Sequence, residues 1–159
     1  MIQRLQSVFL VLVALAMVAA TLSPIWLQVN PEQSQSMELN AWYLVIKILP
    51  GEEIISQNSN YYIGILAILA AMLALYSLFQ FKNRKKQLLL NMINALLMGL
   101  TLGTVIYVSY QANLEFNPNV SGAYVLGFYC IIFALIMNLI ANRFIRKDEM
   151  LIKSIDRIR

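Results

Sequence analysis

The polar and apolar positions of this chain follow a coarse rhythm. Four stretches contain no Asp, Glu, Lys or Arg: residues 5–31, 54–81, 87–114 and 116–142. Each is 27 or 28 residues long and dominated by aliphatic and aromatic side chains. A helix rises about 1.5 Å per residue, so about 20 apolar residues cross the hydrocarbon layer of a bilayer. The pattern predicts four spans, at about 8–27, 62–81, 88–110 and 123–142. The expected class is an all-α membrane protein, a four-helix bundle forming one integral membrane domain over 1–159. The first run also has the outline of a secretory signal peptide, with Arg4 ahead of it and small residues at 14–16. It continues well past that site, which favours a retained span.

The segments between the spans are patterned too. Residues 28–60 form the longest connection, and Leu39, Trp42, Tyr43, Leu44, Val45, Ile46, Ile48 and Leu49 crowd its middle. A small β-hairpin fits: one strand over 37–49, a turn at 50–53 around Pro50-Gly51, and a short return strand. A short interfacial helix over 39–49 is the competing reading. Trp42 and Tyr43 are the candidate outer recognition residues, against a plain packing role. In the tail, Leu151, Ile152, Ile155 and Ile158 recur at spacings of three and four, and Glu149 precedes Lys153 by one helical turn. An amphipathic helix continuing or bending from the fourth span follows. Arg146, Lys147, Leu151, Ile155, Arg157 and Ile158 are its candidates for contact with the inner leaflet or a cytoplasmic partner.

Charge orients the spans. Eleven of the twelve basic residues lie in the N-terminus, the 82–87 loop and the tail; Lys47 alone lies on the other side. Lys and Arg collect in cytoplasmic loops, which puts both termini in the cytoplasm. The net charge of +4 therefore reflects orientation, not a nucleic-acid partner. Trp26, Tyr61, Tyr62, Tyr107, Tyr110 and Tyr124 fall at the outer ends of the spans and suit an interfacial aromatic belt.

Inside the spans the informative residues are small or amidic. Gly64, Ala67, Ala71, Ala74 and Ser77 form one stripe, Ala95, Gly99 and Gly103 a second, and Ala123, Gly127, Ala134 and Ala141 a third. Such stripes allow close helix approach, within the bundle or against another subunit. Asn91 and Asn94 lie near the inner end of span three, and Asn138 and Asn142 near that of span four. These are the candidate interhelical polar contacts.

Several chemistries lose their residues. The chain has no His and one Cys, Cys130, so an intrachain disulfide, His ligation and His-assisted nucleophilic catalysis are excluded. Cys130 reads as an inert buried thiol. No ionisable acid or base lies within a span, which argues against ion-coupled transport. Glu52, Glu53, Glu115, Asp148, Glu149 and Asp156 show no acid–base spacing. No enzymatic activity, cofactor or metal is expected.

The opening Met1-Ile2-Gln3-Arg4-Leu5-Gln6, the loop Phe81-Lys82-Asn83-Arg84-Lys85-Lys86-Gln87 and the closing Ile145-Arg146-Lys147-Asp148-Glu149 and Ser154-Ile155-Asp156-Arg157-Ile158-Arg159 resemble a Bacteroidota family of small four-span membrane proteins, a domain of unknown function. The resemblance implies a bacterial inner-membrane protein and brings no catalytic residues. The function expected is a non-enzymatic accessory or scaffold subunit, with the lipid bilayer and a membrane-protein complex or homo-oligomer as partners. The alternative is a passive channel or small-molecule carrier formed by an oligomer and lined by Asn91, Asn94, Thr101, Thr104 and Asn138.

Overall fold

The computed structural model describes residues 2–49, 51, 53–81 and 83–156. Four helices dominate: α1 (Ile2–Leu22), α2 (Tyr61–Phe79), α3 (Arg84–Phe116) and α4 (Leu126–Asp156). All four are long and apolar enough to cross a membrane. α1 and α3 each pack against both α2 and α4. The α2 stripe of Gly64, Ala67, Ala71, Ala74 and Ser77 is buried in these contacts. Small side chains there let neighbouring backbones approach, which is how helices gain contact where no water drives them together. Leu10, Val13 and Met17 of α1, Met98 and Val105 of α3, and Ile131 and Ala134 of α4 complete the core.

The helix boundaries correct two of the expected spans. α1 stops at Leu22, not at 27, because Pro24 has no N–H to donate and biases Ser23 away from helical geometry. Residues 123–125 precede α4, which starts at Leu126.

The all-α assignment is overturned by a five-stranded antiparallel sheet at the end of the bundle where α1 stops and α2 starts. Its strands are β1 (Trp26–Val29), β2 (Gln35–Leu39), β3 (Tyr43–Ile48), β4 (Glu53–Ser59) and β5 (Ala123–Tyr124), in the spatial order β4-β3-β2-β1-β5. The hairpin expected over 37–59 is thus only part of the sheet. The single strand expected over 37–49 is two strands, since the chain reverses between Leu39 and Tyr43, with Asn40 N–H donating to the Tyr43 carbonyl at 2.8 Å. The interfacial helix over 39–49 does not form. The return strand does, as β4, with a bulge at Ile55, which is left without a partner where β3 steps from Ile46 to Lys47. Pro50 and Glu52 of the expected turn lie outside the described residues.

The sheet sits on the helices through its β2–β3 turn. The Ala41 carbonyl accepts from Gly64 N–H at 2.9 Å, and the Trp42 carbonyl from Asn60 N–H at 2.7 Å. The first turn of a helix has N–H groups with no partner inside the helix, and here the hairpin tip supplies two acceptors at that end. Met37, Leu39, Ala41 and Leu44 join the helix core beneath. Trp26 is also buried, in β1 over Gly122, so it leaves the expected aromatic belt. Tyr61, Tyr62, Tyr107 and Tyr110 remain exposed on helix flanks near the sheet.

Candidate functional site

Buried amides collect in the half of the bundle away from the sheet. Asn91, Asn94 and Asn138 have no exposed surface, and Gln6, Ser77 and Gln87 are buried with them. Helical spacing places them there: 87, 91, 94, 98, 101 and 105 share one face of α3, with Met98 and Val105 as its apolar continuation. The amides join three helices. Asn138 Nδ2 donates to the Asn91 carbonyl at 3.0 Å, linking α4 to α3. The Ser77 hydroxyl donates to Asn91 Oδ1 at 2.6 Å, and Gln87 Nε2 donates to the Ser77 carbonyl at 3.1 Å, linking α2 to α3.

The structure thus brings Asn91 and Asn138 together as interhelical contacts. Asn94 lies in the same layer without a protein partner for either amide atom, and Asn142 leaves Oδ1 unpaired. Gln6 Oε1, Gln87 Oε1, Asn91 Nδ2 and Asn138 Oδ1 also lack one. A buried polar atom left unpaired costs about 1–3 kcal/mol, so the layer is not a minimum-energy apolar core. Sequence reasoning missed Gln6 and Gln87 because both lie at the edges of apolar runs; the signal was their spacing, four before Leu10 and four before Asn91. Thr101 and Thr104 spend their hydroxyls on their own helix, on the carbonyls of Leu97 and Leu100.

Trp42 and Tyr43 take different roles. The Trp42 ring lies flat against Gly64, where an added Cβ would be 2.7 Å from ring carbons, and its Nε1–H donates to the Thr21 carbonyl at 3.1 Å. It therefore ties the end of α1 to the start of α2. Tyr43 is half-buried beside the sheet edge, edge-to-face with Tyr61 at 5.6 Å. Hydrogen bonding to Tyr61 raises its phenol above the usual tyrosine pKa. The edge itself is β4, exposed along nearly its whole length and including Ile54 and Ile55.

At the opposite end α4 runs unbroken to Asp156. Phe144 stacks on Phe9 at 5.4 Å, Ile145 is buried, and Asp148 pairs with Arg84 at 3.1 Å, their side chains 5% and 16% exposed. The tail through Asp148 is thus held on the bundle. Arg146 and Lys147 point outward. Leu151 and Ile155 belong to the helix, their side chains outside the described ones; Arg157 and Ile158 lie outside the described residues altogether. Among the described residues no three His, Cys, Asp or Glu come together to hold a metal.

The chain matches the family described as a domain of unknown function, DUF4293, over residues 2–158, and belongs to it. No curated protein matches it.

Proposed function

We propose that this DUF4293 protein is a non-enzymatic accessory or scaffold subunit of the bacterial inner membrane, with both termini in the cytoplasm and the sheet outside. The carrying observation is the β4 edge: seven residues, Glu53 its only charge, with no Pro or Lys. Proteins that keep a sheet edge private shorten it, charge it, bulge it or place Pro in it; β4 has one bulge, at Ile55, and residues 56–59 beyond it carry none of these devices. The other edge, β5, is shortened to two residues. β4 is left as a template on which an extended segment of a partner adds by backbone hydrogen bonds. The α3 stripe supports the same reading, since Gly99 and Gly103 face outward with open space above them.

The test uses a Cys130→Ser chain carrying Gln57→Cys on β4, oxidised in native membranes. One defined adduct, a dimer or a stoichiometric partner, is the expected result. A protein that gives no adduct and leaves mild detergent as a lone monomer would refute the reading. The unpaired amides favour a second reading, a passive conduit through an oligomer. Solute flux in liposomes, lost in Asn94→Leu, would support it, and an impermeable vesicle would end it.

A further inference from the structure

A cleft of about 790 Å³ opens on the flank of α4 at the end away from the sheet. Arg143, Arg146 and Lys147 line it together with apolar Leu139 and Met150. The three cations share one helix face at spacings of three and four, where like charges repel. None of the three forms an ion pair among the described residues, and neighbouring Asp148 is spent on Arg84. The lining of the cleft thus holds three cations and no acidic side chain.

The same face changes character abruptly. Towards the sheet it continues as Leu139, Ile136, Phe133 and Tyr129, all exposed. One turn, about 6 Å of helix, separates the last of these aliphatic side chains from the first guanidinium. An inorganic anion would match the cations and leave this apolar strip bare. A neutral lipid would cover the strip and leave the cations unmatched. We propose that the cleft is a specific site for an acidic glycerophospholipid, its phosphate held by Arg143 and Arg146 and its acyl chains laid along Leu139, Ile136 and Phe133. Guanidinium groups suit this task because their planar forks grip phosphate oxygens in pairs, and the volume is in the range of sites for small ligands. The inference needs only that the helices lie in a bilayer; it does not need the scaffold role or the orientation.

The experiment places the full chain in nanodiscs of phosphatidylcholine with or without phosphatidylglycerol, and weighs retained lipid by native mass spectrometry. Phosphatidylglycerol should be retained about tenfold or more over phosphatidylcholine, since the cations attract an anionic headgroup more than a zwitterionic one. The triple variant Arg143→Gln, Arg146→Gln, Lys147→Gln should lose that preference, whereas Lys85→Gln with Lys86→Gln should keep it. Should the triple variant not fold, Arg146→Gln alone, at an exposed position, should still lower the preference severalfold. Equal retention of both lipids by the native chain overturns the site, as does a preference that survives the substitutions. Full displacement by glycerol phosphate added in solution would assign the cations to a free phosphoanion and overturn the lipid assignment.

Discussion

Single residues decide how the two layers of this protein meet. Gly64 is required by the Trp42 ring, since a Cβ at 2.7 Å from ring carbons forces that ring or the helix to move. Gly64→Ala should cost about 1–3 kcal/mol, as overpacked sites do. Gly99→Ala, with open space around it, should be neutral within about 0.5 kcal/mol. Unfolding midpoints in detergent separate the two. Asn91 and Asn94 make a second contrast. Asn91→Leu strips Ser77 of its acceptor and should destabilise by about 1 kcal/mol, whereas Asn94→Leu removes an amide with no protein partner and should be neutral or stabilising. Gln33 sits at a φ of 51° in the β1–β2 turn, a left-handed conformation that burdens a side chain. Gln33→Gly should therefore raise the unfolding midpoint, by the equivalent of up to about 1 kcal/mol.

At the scale of elements, the helices were legible, and the sheet only in its β3–β4 hairpin. Runs of apolar residues long enough to span a bilayer leave few alternatives, and all four helices fall on them. β1 was hidden because its four residues continue the apolar run of α1, too short to show a period of two. β5 has two residues and exists through its pairing with Trp26 and Leu27. The turn between β2 and β3 carries no Gly at its tip; Ala41 and Trp42 hold it by bonds to α1 and α2, which no local signal announces. Of the polar layer, the asparagines on α3 and α4 were readable from spacing, while Gln6 and Gln87 looked like ordinary span edges. The ion pair of Arg84 with Asp148 is an element-scale lock between the start of α3 and the end of α4. Asp148→Asn leaves a largely buried guanidinium unpaired. Amide exchange over 140–156 should accelerate in that variant while exchange in α2 stays unchanged.

For the whole molecule, the two ends of the bundle are chemically opposite. Among the described residues, one carries Arg84, Lys85, Lys86, Arg143, Arg146 and Lys147; the other carries the sheet and the exposed Tyr61, Tyr62, Tyr107 and Tyr110. The proposed orientation predicts that a cysteine at Ser59 in a Cys130→Ser background reacts with a membrane-impermeant reagent in intact spheroplasts. A cysteine at Lys85 should react only after permeabilisation. The reverse pattern would invert the topology and place the β4 edge where cytoplasmic partners meet it.

The pairing of β1 with β5 also sets an order in time. Trp26 leaves the ribosome tunnel nearly a hundred residues ahead of Gly122 and Tyr124, against which it packs. Gln28 waits equally long for the carbonyls of Asn117 and Val120, at 2.9 and 2.6 Å. At about 5–20 residues per second, translation leaves that interval open for roughly 5–20 s. Throughout it the nascent protein shows an indole and a sheet edge that the finished one conceals. A chain stalled before residue 117 would therefore keep that edge and the indole uncovered.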